Sequence, residues 1–521
     1  MVLHRPRAHA GGGSLMALVQ PGAAQLVARR AGIDTYQAAI VYMRADCHVC
    51  RAEGYQSQAR VEITNGTRSV IATVHHVLAE WLREGEAGLS ETAWQTLAAR
   101  DGDVLSVRHA PVLESVRHIR SKIYGSALDY EQLLAIMHDA AGNQLSDLHL
   151  AAFVTACAGD RMSGAETIAL TRAMIAVGER LAWHASPVVD KHCVGGLPGN
   201  RTTPLVVAIV AACGAVMPKT SSRAITSPTG TADTMETLAP VDLDLPAMRR
   251  VVEQEGGCVV WGGAVGLSPA DDVLIRVERP LDLDGTAQLV ASVLSKKASA
   301  GSQRVVIDIP VGPTAKVRTA AAADALALAL EAVGTAVGLQ LRVVQTDGTQ
   351  PVGRGIGPAL EAWDVLGVLQ RTPGAPADLR ERALQLSGHV LEIGGRAAPD
   401  QGYAMARDTL DSGRAWDKFQ AICRAQGGLR EPPRARFTQP WTAPKGGVVT
   451  AIDNRRIAQA AKLAGAPAAA AAGITMEVKL GDRVDRGQPL FRVYAQAPGE
   501  LAYALNYVFS QPDLVTIGTS A

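Results

Sequence analysis

The spacing of apolar residues changes several times along this chain, and each change marks a different kind of structure. From about residue 15 to 108, short β-branched runs such as AAIVYM at 38–43 and ARVEITNGTRSVIATV at 59–74 alternate with turn residues. Asn65-Gly66 between two alternating runs predicts a hairpin, since this dipeptide tolerates the left-handed backbone of a two-residue turn. A small β-rich domain is therefore expected over 1–108. From Pro111 to Trp183 the period becomes helical, and helices are expected at 129–141, 146–158 and 163–181. Ser163 followed by Glu166 is a capping box. Between 184 and 430, apolar strands such as VVIDIPV at 305–311 and LRVVQT at 341–346 alternate with alanine-rich helices such as 319–337. That alternation predicts an α/β layer with a largely parallel sheet, within a multidomain α/β chain. The composition breaks at Glu431-Pro432-Pro433, and the remainder, 431–521, returns to short strands punctuated by Gly-Asp and Gly-Gln turns.

Size and charge restrict what such a chain does. Its 521 residues exceed what one core supports, so about three or four domains are expected. Acidic and basic residues balance to a formal charge of +1, and no basic face or block recruits nucleic acid or a membrane surface. Seven scattered cysteines, an odd number, make a poor disulfide framework and fit a reducing cytoplasm. The longest apolar run, Pro204 to Met217, is shorter than the ~20 residues a membrane helix needs and reads as a buried helix. Gly11 to Ser14 and Pro21 interrupt the N-terminal stretch, which reads as a flexible start with Met16 a candidate initiator rather than as a signal peptide.

The candidate chemistry is concentrated between Asp190 and Glu236, where two loops rich in Gly, Ser and Thr flank that apolar run. Glycine lets backbone N–H groups approach an anion, hydroxyls add donors, and a helix start favours negative charge. Lys191 heads the first loop and Arg223 lies in the second. The spacing fits neither GxGxxG nor GxxxxGK[ST], so a nucleotide-fold template does not apply.

DKHCVGGLPGN and SSRAITSPTGTADTME, with SGAETIALTRAM at 163–174 and TDGTQPVG at 346–353, resemble the motifs of the thymidine phosphorylase family. The form of both loops is similar to its long branch, which contains thymidine phosphorylases of the second type and AMP phosphorylases. The resemblance runs from about Glu114 to the C-terminus. It implies a helical domain over 109–183 joined by 268–300, an α/β phosphate-binding domain over 184–430 and a C-terminal barrel-sandwich domain over 431–521. It places phosphate at Lys191, Gly195, Gly196, Thr202, Thr203, Ser221, Ser222 and Thr231, and substrate at Arg223, Ala224, Ile225, Thr226 and Ser227. Arg276, Ser292 and Lys296 match the family's set for the base carbonyls, with one extra residue between the arginine and the serine. Ser292 and Lys296 are four apart in a helical pattern and so share a face. His192 matches the histidine on the base or sugar side. By resemblance to AMP phosphorylases, Asp284 falls on the proton donor to a leaving purine and Lys316 on a substrate contact. A helix-start aspartate is equally a cap.

Phosphorolysis asks an enzyme to fix a polyanion on one side of a sugar and to relieve charge on the departing base at the other. The loops answer the first need and the 276–296 set the second. The expected reaction is thymidine plus phosphate giving thymine and 2-deoxyribose 1-phosphate. AMP phosphorolysis and a non-catalytic regulatory homologue are the rivals. No cofactor or metal is expected beyond phosphate as co-substrate; partners are small molecules, and a cytoplasmic homodimer or larger homo-oligomer is implied. Three motifs stand apart. Cys193 occupies a position where the family usually has serine, a better donor, and altered phosphate affinity is expected there rather than a nucleophilic thiol. Cys47-His48-Val49-Cys50 lacks the second pair that a zinc site needs. GDRVDRGQPL is similar to lipoyl and biotinyl carrier domains but lacks their lysine tip.

Overall fold

The computed structural model describes residues 24–518 except 225, 226, 282 and 284. The expectations for the N-terminal stretch through Pro21 thus lie outside the described residues. The chain forms two units that divide between Leu113 and Glu114.

In the first unit, six strands close into a barrel in the order Ala24–Arg30, Glu86–Leu89, Ile40–Arg44, Arg68–Val77, Arg60–Asn65, Val104–His109. The Asn65-Gly66 turn joins two of them, with Asn65 opposite Arg68. Alternate residues Val61 and Ile63, Leu105 and Val107 point inward and are fully buried, as strand periodicity requires. The Cys47–Cys50 segment is part of this core. The Cys47 thiol caps the helix His48–Glu53 by accepting the Cys50 N–H at 3.3 Å. Burial raises the Cys50 thiol to about 12, so it is no thiolate at neutral pH. Among the described residues, no three His, Cys, Asp or Glu side chains are grouped to hold a metal.

The second unit begins with helices Glu114–Ile123, Tyr130–Ala141, Asp147–Cys157 and Gly164–Ala176. Asp129, Ser146 and Ser163 cap three of them, and the Ser163–Glu166 box is formed in both directions at 3.2 and 3.0 Å. The last helix stops at Ala176 instead of running to 181. At Gly178 a Cβ would come within 2.3 Å of the Leu267 carbonyl oxygen, so the chain must leave the helix to let the returning segment pass. That segment supplies the helices Pro269–Leu281 and Thr286–Ser299, which pack on 130–141, 147–157 and 164–176 and complete the layer.

Between these pieces runs a parallel α/β layer. Strands Gln340–Asp347, Arg304–Val311 and Val189–Cys193 pair in that order, and a parallel bridge from Val188 to Val216 continues to the pair Met217–Ser221 and Gly257–Trp261. The apolar run forms the helix Thr202–Ala212, buried from Thr202 to Ala211. Ligands of open parallel sheets sit beyond the carboxyl ends of the strands, which here are Cys193, Ser221 and Val311. The remainder of the chain forms two short antiparallel sheets around one core that includes Val449, Ile474, Phe491 and Ile517. Gly355–Ile356, from the α/β region, is an edge strand of one of them. The alanine-rich stretch 464–472 forms successive turns after the helix Asn454–Leu463.

Candidate active site

The first loop leaves the strand Val189–Cys193 and re-enters at the start of the helix Thr202–Ala212. Lys191 is 1% exposed, and its ammonium donates to the Thr202 hydroxyl at 2.6 Å. No carboxylate pairs with it among the described residues. Burial holds its pKa below the ordinary lysine value, opposed by the more distant Asp308. His192 is neutral for the same reason: burial disfavours imidazolium, and the charges of Lys297, Lys219, Lys191 and Lys296 add to the effect. The helix Thr286–Ser299 reaches the strand that heads the first loop through Lys297, whose ammonium donates to Asp190 Oδ2 at 2.8 Å. Cys193 Sγ accepts from Asn200 Nδ2 at 3.2 Å, and burial raises the thiol far above its usual range. The reading of Cys193 as a non-nucleophile fits that environment. Gly196, with φ +87°, lets Lys316 pack against the loop: a Cβ there would lie 3.0 Å from the Lys316 Cβ. Gly195 is exposed and Thr203 buried.

The second loop starts at Ser221, the last residue of its strand, and ends at Gly230, the cap of the helix Thr231–Glu236. A Cβ on Gly230 would meet the Ser222 carbonyl oxygen at 2.6 Å, so only glycine lets the loop's two ends meet. Asp233 Oδ2 accepts the N–H groups of Ala224 and Gly230, both at 2.7 Å. The Arg223 guanidinium is used inside the loop, pairing with Glu236, Asp242 at 3.3 Å and Asp233 at 3.6 Å over the Trp261 ring. Ser227 likewise donates to the Thr229 carbonyl at 2.9 Å. Arg201 ties the loops together. Its Nη1 donates to the Thr231 hydroxyl at 2.7 Å and its Nε to buried Glu361 at 2.6 Å. Ile225, Thr226 and Asp284 lie outside the described residues.

On the helical side, Ser292 and Lys296 are half-exposed on a helix whose other residues from 290 to 299 are buried. Lys296 pairs with buried Asp271. Burial opposes its charge, but the Asp271 carboxylate outweighs this and holds the ammonium above its ordinary value. The Arg276 side chain is 8% exposed and Nη2 donates to the Asp147 carboxylate at 2.7 Å. Its Nε and Nη1 are buried without a partner among the described residues, which leaves two donors for a carbonyl.

Sequence reasoning missed Arg201, Glu361, Asn200, Asp190, Lys219 and Lys297. Arg201 and Asn200 stand inside the first loop and Asp190 and Lys297 adjoin singled-out lysines, so proximity in sequence was a usable signal for those four. Glu361 lies on a largely apolar, mostly buried helix, Pro358–Gln370, and carries none.

A helical layer completed by a returning segment, set on a parallel sheet whose loops cage a buried ammonium, is a pentosyltransferase arrangement. The profile described as "Glycosyl transferase family, a/b domain" matches residues 185–416, and its helical bundle domain matches 116–178. "Pyrimidine nucleoside phosphorylase C-terminal domain" matches 448–510. The chain is 63% identical over 493 residues to "Putative thymidine phosphorylase 2" of Acidovorax sp. (strain JS42), covering 95% of this chain and 96% of that one. It is 61% identical over 489 residues to "Putative thymidine phosphorylase" of Polaromonas sp. (strain JS666 / ATCC BAA-500), covering 94% and 96%. A solved anthranilate phosphoribosyltransferase from Thermus thermophilus aligns at 20% identity with a TM-score of 0.48, over 59% of this chain and 99% of that one. The chain belongs to the thymidine phosphorylase family. No helix among the described residues is long and apolar enough to cross a membrane.

Proposed function

We propose that this protein cleaves thymidine with inorganic phosphate, giving thymine and 2-deoxyribose 1-phosphate. The observation that carries the reading is Lys191, an ammonium almost wholly buried with a neutral hydroxyl as its partner. A buried charge without a counter-ion is costly, and a phosphate dianion would supply that counter-ion. Thr202, Thr203, Ser221, Ser222, Thr231 and the backbone of Gly195 and Gly196 add donors on the same side. A phosphate oxygen bonds to the anomeric carbon as the bond from that carbon to the base nitrogen breaks, and its electron pair leaves with the base. Arg276, through Nε and Nη1, and Lys296 take up the charge on the pyrimidine carbonyls, with Ser292 beside them. Neutral His192 donates or accepts one hydrogen bond at the sugar or base, and Lys316 backs the first loop. The reaction takes phosphate as co-substrate and no cofactor or metal. We assign it to the cytoplasm, as a homodimer or larger homo-oligomer that acts on small molecules and engages neither nucleic acid nor membrane; the free cysteines, five of the seven buried, suit that compartment.

A screen of nucleosides and 5′-monophosphates with and without phosphate, following release of free base, tests this. Thymine release that requires phosphate is the expected result. Undiminished release in phosphate-free buffer would mean a hydrolase, adenine release from AMP alone would move the substrate to a nucleotide, and inactivity on every compound would favour a regulatory homologue.

A further inference from the structure

The chemistry above makes no use of Asp190, yet its carboxylate is fully buried among cations. Oδ2 accepts from Lys297 Nζ at 2.8 Å and from Ser302 Oγ at 3.5 Å. Oδ1 accepts the Lys191 backbone N–H at 2.6 Å and lies 3.5 Å from Lys219 Nζ. Lys219 and Lys297 are themselves 4% and 3% exposed. Taking such charges out of water costs as much as their attraction returns, so a buried cluster of this kind is a poor explanation of stability and a better one of registry.

The positions of its partners say what is being registered. Asp190 immediately precedes Lys191. Lys219 stands two residues before Ser221, where the second loop begins, and Lys297 immediately follows Lys296 on the base-side helix. The three segments, Val189–Cys193, Met217–Ser221 and Thr286–Ser299, are two regular strands and a helix, so a shift of one lysine is passed along its element. Every contact of this one carboxylate with a lysine therefore ends within two residues of a residue of the site. We propose that Asp190 is a positioning residue whose contacts with Lys191, Lys219 and Lys297 set the separation between the two phosphate loops and the base-gripping helix. The inference rests on the reading of Lys191 as the phosphate side and Lys296 as the base side.

The test compares Lys297→Met with Lys297→Arg and with Lys122→Met in the full chain. Lys122 and Glu166 form a second buried ion pair, 2.6 Å long, whose other contacts are Arg161, Ser163 and Leu128 rather than the site. Displacement by about an ångström costs ~10²-fold in a reaction that depends on alignment. Lys297→Met should lose about that much in kcat/KM, with KM raised for phosphate and nucleoside together. Lys297→Arg should recover most of it, and Lys122→Met should lower the unfolding temperature while keeping wild-type KM values. Unchanged KM values in a folded Lys297→Met protein, or equal losses in Lys122→Met, would overturn the proposal. Should Lys297→Met fail to fold, Lys219→Met replaces it, since burial already disfavours that ammonium; a raised phosphate KM is expected and an unaltered one refutes. Calorimetry with inorganic phosphate alone separates the two levels. Wild-type binding that Lys297→Met weakens supports the inference whichever nucleoside is cleaved, whereas a wild type that binds no phosphate overturns the functional reading and the inference with it.

Discussion

The two sides of the site handle their cations in opposite ways. On the phosphate side, Lys191 is buried against a hydroxyl and held below its ordinary pKa, while Arg201 and Arg223 are paired with Glu361 and Glu236. On the base side, Lys296 and Arg276 each keep a carboxylate, Asp271 and Asp147. A cation lacking a counter-ion draws a polyanion, and a cation already paired offers directional N–H groups to a neutral ring with little pull on phosphate. On the proposed reading, this difference in pairing would sort the two substrates to opposite walls before any contact is made.

The sharpest way to break this comparison is to ask which wall limits the reaction. With thymidine, Lys296→Ala should lose roughly ten- to hundred-fold in kcat/KM, the worth of a charge-assisted hydrogen bond of ~1.5–3 kcal/mol. Asp284→Asn should stay within a few-fold of wild type, because a pyrimidine leaves as a stabilised anion. A purine leaves well only when protonated, so with AMP the order should reverse and Asp284→Asn should cost ~10²- to 10⁴-fold. Steady-state kinetics of both variants on the better substrate decide it, and two fully active variants would discard this base pocket. Lys191→Ala should also cost roughly ten- to hundred-fold, but in the phosphate dependence alone. Unchanged phosphate kinetics would reduce Lys191 to a packing residue.

The pH dependence should separate the two lysines directly. A lysine whose pKa is lowered by burial loses its charge before the ordinary 10.5, and one raised by a carboxylate keeps it beyond. The phosphate kcat/KM of the free enzyme should therefore fall on the alkaline side below pH 10.5, with the nucleoside contact through Lys296 intact there. Lys191→Arg should move that limb upward, since guanidinium does not deprotonate in this range. A limb that stays in place assigns it to another group. The smallest effect belongs to Cys193→Ser. A hydroxyl is a better donor than the thiol, and one restored hydrogen bond of ~1 kcal/mol should lower the phosphate KM about five-fold. An unaltered KM would mean that the loop uses its backbone alone at this position.

Much of this was legible in the chain because the signals are local. Ser163 and Glu166 are three residues apart, Asn65-Gly66 specifies its own turn, and the run 204–217 is apolar enough to demand burial. What escaped is what depends on distant partners. The barrel of the first unit mixes parallel and antiparallel neighbours, Ala24–Arg30 lying beside both Glu86–Leu89 and Val104–His109, and no spacing announces that closure. Arg201 and Glu361 meet across 160 positions. Arg223 stood in a loop that suggested an anion contact, but its guanidinium faces carboxylates whose positions only the fold reveals. Asp190 belongs to the DKHCVGGLPGN motif, which by itself gives it no role, because its partners Lys219 and Lys297 come together only in the fold.

The returning segment that passes Gly178 also constrains how the protein is made. The helices from Glu114 to Ala176 leave the ribosome with apolar faces that Pro269–Leu281, Thr286–Ser299 and, for Gly164–Ala176, Ala320–Ala336 later cover. At translation speeds of roughly 5–20 residues per second, that exposure lasts on the order of ten seconds. Slower decoding between residues 177 and 268 would lengthen that interval.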